Sequence, residues 1–458
     1  MNPELMRNIW VELTPRRMTM MAVFLALALT ASSLTAGGYV TSATASFAEF
    51  LYFAIVVLWG TRAAAQSVVG EIRDKTWDLQ RLSAIGPWEM VWGKLFGSTL
   101  LMWFGGAICL VPLVAFTQKT AGPWAAAIDL GYYVSVGIMA HAGAMLASLI
   151  AINRRGTHSR FDVFLYQLAG LLTAGAVYWV WHTASPGGAY TGFFAYVRVD
   201  TVSWWGAEFD ARSFYLWSLA AFSAWIIAGN YRLMRLELQM TNGPFVWLGF
   251  LAFMGIYVAG LDNLIIGGDA GAVANARIAL AALIYAEITY AMVLFEPKDR
   301  VLYRWLGGAL RSGKFGGFFL RLQGWMYSYL LCIVLSLILL ARLDDSSFAG
   351  LVDLDASRSF IAAALGFLTR DCGIFLLMNT YQTQKRGDFG AILTLIALYW
   401  IGPWLAAGMG LESFLYLFGP IPSDPAIAGP IAAWLEAFVV WVLAFGRMEL
   451  KKTQPERK

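Results

Sequence analysis

Long apolar stretches recur along the whole chain, and they constrain its fold more than any other feature of the sequence. Hydrophobic residues make up 59% of the 458 residues and charged residues 14%, about half the charged share of a soluble protein. A continuous apolar run of about 18 residues or more is typical of a transmembrane helix. Because every backbone polar group in the hydrocarbon core needs an internal partner, continuous runs indicate helices. The sequence therefore predicts an all-α, polytopic integral membrane protein.

The apolar stretches divide into twelve candidate spans, six in each half of the chain. They are 18–37, 46–66, 94–117, 124–151, 162–183, 213–231, 244–262, 274–295, 324–342, 357–379, 389–409 and 427–446. In alternate connections, beginning before the first span, and in the span ends that adjoin them lie 26 of the 33 lysines and arginines. By the positive-inside rule both termini are cytoplasmic. We expect the protein to lie in a bacterial inner (cytoplasmic) membrane.

Three polar landmarks recur in the same order at equivalent exits from the two sets of spans. The pairs are 71–75 with 296–300, 154–156 and Asp162 with 385–387 and Asp388, and 235–238 with 447–450. Six spans per half give both halves the same orientation, so the repeats are parallel. We predict a first six-helix domain at 18–240, a second at 241–450 and a cytoplasmic tail at 451–458.

The first 17 residues form a further predicted element. One helical face carries the apolar side chains, which are Leu5, Met6, Ile9, Trp10 and Leu13. This pattern predicts an amphipathic helix lying in the inner interface of the bilayer.

A charged segment between two spans, residues 71–94, carries the strongest functional signal. Its sequence is EIRDKTWDLQRLSAIGPWEMVWGK. The segment resembles the cytoplasmic loop of ABC-2 type transporter permeases, in which Glu, then Thr and Leu, then a Ser/Pro turn, then Gly-Lys recur in that order. Permeases of this family also have a connecting helix before the first span. Residues 1–17 therefore have two interpretations, a connecting helix or a simple membrane anchor.

The resemblance implies that separate ATP-binding subunits, two per chain, act on this membrane subunit of an exporter through residues 70–90 and 296–315. The implied contact residues are Glu71, Asp74, Lys75, Trp77, Asp78, Arg81, Glu296, Asp299 and Arg300. The second loop lacks the Thr-Leu-Ser/Pro core, so the two halves are expected to couple unequally. ATP and magnesium would be bound by the partner. This chain is expected to be non-catalytic and to hold no cofactor or metal, and accessory proteins could bind its outer loops.

Ionisable side chains inside the predicted spans form a second group of candidate residues. They are Glu287, Arg370, Asp371 and Glu436. Each costs roughly 2.5–3.5 kcal/mol at mid-bilayer on insertion scales, so they are expected to face the bundle interior and to pair. Two interpretations follow: a polar pathway for substrate, or a packing network in which Arg370 pairs with Glu287 or Glu436. Likewise, Trp204 and Trp205 predict either a short helix dipping into the outer leaflet or a surface loop with an aromatic anchor.

No catalytic, dinucleotide or metal-ligand signature occurs in the sequence, and the basic residues follow membrane topology rather than nucleic-acid binding. Two alternative functions stay open. One is a proton-coupled secondary transporter using Glu287, Asp371 and Glu436. The other is an ABC-driven membrane scaffold in an assembly or secretion system.

Overall fold

The protein is almost entirely helical where the computed structural model describes it. The described residues are 2–35, 37–153, 160–183, 199–265, 270–298, 300–342, 357–379, 387–421, 423 and 425–450. Nine helices in this part are long and apolar enough to cross a membrane. The prediction of a polytopic, helical integral membrane protein is confirmed at this level. The count of twelve spans and their orientation stay predictions.

The chain divides into two compact units, and unit 1 comprises Met1–Val202 and Glu208–Asn242. Its helices are α1 (Pro3–Glu12), α2 (Pro15–Thr35), α3 (Ser42–Tyr52), α4 (Gly60–Arg73), α5 (Trp77–Arg81), α6 (Pro87–Leu95), α7 (Leu100–Asn153), α8 (Arg160–Thr183) and α9 (Ala211–Glu237). A π-helical segment, Phe53–Trp59, joins α3 to α4. The long helix α7 covers two predicted spans, and it is interrupted at Gly122, whose φ of 88° favours glycine.

Unit 2 comprises Ser203–Ala207 and Gly243–Lys458. Its helices are α10 (Phe245–Ala259), α11 (Ala270–Phe295), α12 (Arg300–Arg311), α13 (Phe315–Leu320), α14 (Gly324–Arg342), α15 (Ser357–Asn379), α16 (Gly387–Ile396), α17 (Gly402–Gly408) and α18 (Ala428–Leu450). A second π-helical segment, Ala397–Ile401, joins α16 to α17. With 15 residues, α10 is shorter than a typical membrane span.

The two units share a pattern of helix neighbours. In unit 1, α2 packs on α3 and on α7, α4 packs on α7, and α7 packs on α8 and α9. In unit 2, α10 packs on α11 and on α14, α11 packs on α14, and α15 packs on α16 and α18. The helices α14 and α15 thus have the neighbours that the two parts of α7 have in unit 1. The duplication of one six-helix unit and the domain boundary at 240 stay predictions.

The residues Trp204 and Trp205 lie in a β-hairpin, so the predicted short helix at this place is wrong. Strands β1 (Thr201–Trp204) and β2 (Ala207–Asp210) pair through a two-residue turn. Both turn residues have positive φ, 53° at Trp205 and 78° at Gly206. Two consecutive positive φ angles are the geometry of the type I′ turn, which matches the right-handed twist of paired strands. Local turn chemistry therefore decides against a helix.

Aromatic and ionic contacts hold the tip of this hairpin against the C-terminal end of α10. The indole N–H of Trp204 donates to the Tyr257 carbonyl at 3.1 Å, and the guanidinium of Arg277 lies 4.5 Å from the Trp205 ring centroid. Arg277 also pairs with Asp262 at 2.6 Å. Burial raises the pKa of Asp262, but hydrogen bonds from a backbone N–H, Arg277 and a serine hydroxyl outweigh it and hold the pKa below its usual value. The aromatic-anchor interpretation of this loop fits these contacts.

Candidate functional site

Residues 71–94, the segment singled out by the sequence, fold as two short helices that follow the end of α4. Asp74 ends α4, and Lys75 takes a left-handed conformation with φ of 60°. The reversal at Lys75 allows α5 to run in a new direction. The next helix, α6, begins at Pro87, and the Glu89 carboxylate accepts the Gly86 N–H at 3.2 Å. The segment is therefore ordered helix with defined ends.

A partly buried cluster of four charged side chains joins this segment to α1. We call Glu4, Arg7, Glu71 and Lys94 the charge cluster. The Lys94 Nζ lies 3.0 Å from Glu4 Oε1 and 2.5 Å from Glu71 Oε2, and its side chain is 2% exposed. Arg7 bridges the same two carboxylates, at 2.7 Å from Glu4 and 2.6 Å from Glu71. Two cations thus balance two carboxylates from three separate elements.

The two carboxylates raise the pKa of Arg7. Burial by itself lowers the pKa of this guanidinium, but the hydrogen bond to Glu71 and the charges of Glu4 and Glu71 outweigh burial and raise it. The cluster is supported by Asn8, whose side-chain amide donates to the Gly93 carbonyl at 3.1 Å. Glycine is required at position 93, because a Cβ there would lie 2.4 Å from the Glu4 side chain. The helices α1 and α6 therefore pack in close contact around the charges.

Trp77 anchors the base of α5. Its side chain is 4% exposed, and Lys94 Nζ lies 5.5 Å from the centre of its ring. Trp77 packs in a cluster with Met90 and Met234, which come from α6 and α9. At the end of α9, burial raises the pKa of Glu237 above its usual value, and Arg81 and the Trp77 indole offset only part of this rise. The α5 helix is consequently fixed to the helical bundle on one side.

The opposite side of the segment is exposed and carries acidic and apolar residues together. The side chains of Asp74 and Asp78 are 68% and 87% exposed. Leu79 and Leu82 are 72% and 85% exposed. We call Asp74, Lys75, Asp78, Leu79 and Leu82 the exposed face. Large apolar side chains this open to solvent on a segment outside the spans are candidates for a protein contact.

The residues predicted to contact an ATPase thus fall into two groups in the first loop. Glu71 and Trp77 point inward, to the charge cluster and to the bundle. Asp74, Lys75 and Asp78 lie on the exposed face. Arg81 lies between them, 28% exposed and 3.6 Å from Asp78.

The second predicted loop has a different chemistry. The Glu296 carboxylate accepts the backbone N–H groups of Gly324, at 2.9 Å, and Trp325, at 3.3 Å, so it caps the start of α14. Lys298 pairs with Asp388 at 2.6 Å. Asp299 and the side chain of Arg300 lie outside the described residues. The exposed side chains of α12 and α13 are basic and apolar, including Arg304, Arg311, Lys314, Phe315 and Phe319.

Three of the four predicted intramembrane residues form one network in unit 2. Arg370 donates to Asp371 at 2.9 Å and to Glu436 at 2.7 Å. Asp371 also accepts the hydroxyls of Tyr290, at 2.8 Å, and Tyr399, at 2.6 Å. The predicted partnership of Arg370 with Glu436 is present. Glu287, the fourth residue, lies apart and lines a cavity.

Two polar side chains bind the π-helical segment of unit 1, and the sequence analysis did not predict these contacts. His141 Nε2 lies 2.7 Å from the Val56 carbonyl, and the Gln167 amide donates to the Leu58 carbonyl at 2.9 Å. A π-helical turn displaces backbone carbonyls from their usual partners, and these two side chains bind them. His141 and Gln167, polar residues inside predicted spans, were the available signals, and neither indicated its partner.

Glu4 and Arg7 were also missed as site residues, because their partners outside α1 lie more than 60 positions away along the chain. Within the described residues, no group of three or more His, Cys, Asp or Glu side chains could hold a metal ion. In comparisons with known proteins, no protein-family model, no curated protein and no solved structure matches this chain.

Proposed function

We propose that this chain is the membrane subunit of an ATP-driven exporter of the ABC-2 type, on which separate ATP-binding subunits dock at the exposed face. One observation carries the proposal. Residues 71–94 present exposed leucines and aspartates outside the apolar spans, while buried contacts fix the base of the same segment to the bundle. The order of residues that resembles the family loop lies in this same segment.

The charge cluster gives the segment a way to transmit movement. Glu71 lies in the last turn of α4, Lys94 lies in α6, and Glu4 and Arg7 lie in α1. Separating α4 or α6 from the other two helices would leave Glu71 or Lys94 without its partners, and breaking a buried ion pair in this way costs about 3–5 kcal/mol. A displacement of α5 by a partner would therefore move α4 and α6 together, and α1 with α6 through the Asn8–Gly93 hydrogen bond, rather than bend the loop.

The second loop supports unequal coupling of the two halves. The exposed face of the first loop carries two aspartates, whereas α12 and α13 expose arginines, a lysine and phenylalanines. An amphipathic, basic helix fits the inner surface of an anionic bilayer. In the proposal, 71–94 is the principal docking segment, and 296–315 is a weaker contact that lies against the membrane.

A proton-coupled transporter is the second candidate, and Glu287 is the observation that favours it. This carboxylate lies in a predicted span and lines a cavity between helices. The other two carboxylates of that hypothesis, Asp371 and Glu436, are both bound to Arg370. Of the three carboxylates in that hypothesis, Glu287 is the one to which no cation among the described residues is bound.

The experiment is affinity purification of the tagged chain from its native membrane in mild detergent, with measurement of ATPase activity in the eluate. Wild-type chain is expected to bring down a subunit with ATPase activity. Leu82→Ser and Asp78→Ala are expected to lose most of it, since both change the exposed face without touching a buried group. Leu264→Ser, at an exposed leucine of unit 2 in another connection, serves as the matched control.

Recovery of the chain alone from wild type, with no ATPase activity, would refute the proposal. Equal recovery of the ATPase in the wild type, in Leu82→Ser and in Asp78→Ala would refute the exposed face as the docking site. Two ATPase copies per chain would support coupling through both loops, and one copy would support coupling through 71–94 alone. Transport that collapses with the proton gradient and persists without ATP would select the second candidate.

A further inference from the structure

Unit 2 contains a cavity of about 440 Å³ that the proposed function does not use. It lies among α11, α14, α15 and the π-helical segment Ala397–Ile401, and most of its wall is aliphatic or aromatic. Its volume is within the range of sites for small organic molecules. We call it the unit 2 cavity. An apolar pocket of this size selects a ligand with an apolar body.

The polar group that distinguishes this cavity is Glu287. Its side chain is exposed, and no hydrogen bond or ion pair joins it to any residue that the structure describes. Glu287 lies eight residues from Phe295, the end of α11, which places it about 12 Å inside the helix. An ionised carboxylate at such a depth is costly unless a cation accompanies it. The wall of the cavity therefore presents a carboxylate that has no partner among the described residues.

The neighbouring charges reinforce this preference. Arg370 is committed to Asp371 and Glu436, so these three groups together carry one excess negative charge when ionised. Glu287 adds a second. The ring of Tyr290, three residues from Glu287 on the same helix face, also lines the cavity. Aromatic ring faces attract organic cations. The apolar wall, the negative charge and the aromatic ring of this cavity all favour an organic cation with an apolar body.

We propose that the unit 2 cavity binds a lipophilic organic monocation, with the cationic centre at Glu287 and the apolar body against Leu283 and Phe367. The site lies within unit 2 and does not depend on ATP coupling. It would serve equally as a substrate site or as a regulatory site of a transporter.

The test is equilibrium binding of radiolabelled tetraphenylphosphonium to the purified chain in nanodiscs of zwitterionic lipid, with empty nanodiscs subtracted. Saturable binding to wild type is expected. Glu287→Gln is expected to weaken it about tenfold or more, because a charge–charge contact in a partly desolvated site is lost. Ala364→Phe, which fills the cavity and keeps the carboxylate, is expected to abolish it. Glu412→Gln, which removes an exposed carboxylate outside the cavity wall, is expected to leave it unchanged.

Tetraphenylborate, an anion of the same shape, separates charge recognition from partition into the disc. It is expected to show no saturable binding above empty nanodiscs. Equal binding of both ions, or equal binding of tetraphenylphosphonium to wild type and Glu287→Gln, would overturn the proposal. So would the absence of saturable binding to wild type. Unchanged size-exclusion profiles and Tm values confirm that the variants are folded.

Discussion

Lys94 is the residue whose removal tests the charge cluster most directly. Lys94→Met keeps the length and apolar stem of the side chain but removes the cation between Glu4 and Glu71. Breaking a buried ion pair by removing one partner costs about 3–5 kcal/mol. The lower end, about 3 kcal/mol, is expected here, because Arg7 keeps its contacts with both carboxylates.

The expected effect is greatest at α1, because this short helix contributes two of the four residues of the cluster, Glu4 and Arg7. Since 1.36 kcal/mol corresponds to a factor of ten, a loss of about 3 kcal/mol raises the open population of α1 by about a hundredfold. Hydrogen exchange of peptides covering Pro3–Glu12, measured by mass spectrometry in detergent, reports this population. Exchange in these peptides is expected to accelerate by about that factor, with little change in α9.

Two further variants make the reasoning refutable. Lys75→Met makes the same substitution at an exposed lysine of the same segment, and it is expected to leave the exchange of α1 unchanged. Glu4→Gln combined with Glu71→Gln neutralises the two carboxylates with which Lys94 pairs, so adding Lys94→Met to that pair is expected to cost much less than in the wild type. The explanation is refuted if Lys94→Met leaves α1 as protected as in the wild type, or costs the same in both backgrounds.

Two other predictions concern packing and pH. Gly60→Ala is expected to destabilise the protein by about 1–3 kcal/mol and to lower its Tm, because the new Cβ would lie 2.1 Å from His141 Nε2. Gly70→Ala, in the same helix, places a Cβ with no atom within 4 Å and is expected to keep the wild-type Tm. Equal Tm values for the two variants would contradict the close packing at Gly60. Asp262 has a lowered pKa in the folded state, so the stability that it contributes with Arg277 is full above its unfolded pKa of about 3.9 and is lost as the pH falls through the lower folded value. The Tm difference between wild type and Asp262→Asn is therefore expected to be constant from about pH 8 to pH 5 and to narrow only below about pH 4. A difference that already narrows at pH 6 would contradict the lowered pKa of Asp262.

The sequence by itself determined the membrane class and the approximate helices. Apolar runs of bilayer length have one satisfactory backbone solution, so ranges such as 274–295 and 324–342 correspond closely to α11 and α14. The sequence also placed the charged segment 71–94 between spans and indicated that Arg370 would find a carboxylate, because an unpaired charge in a span is costly. These conclusions follow from composition and from local pattern.

Only the tertiary structure decided which side of the charged segment faces outward. Glu71 and Asp74 are alike in the sequence, but Glu71 meets Lys94 and Arg7, whereas Asp74 remains exposed. The partners of Glu71 come from helices far apart in the chain, and no local pattern specifies such a contact. The same reason explains Glu287: its separation from Arg370 depends on how α11 and α15 pack, which neither helix encodes alone.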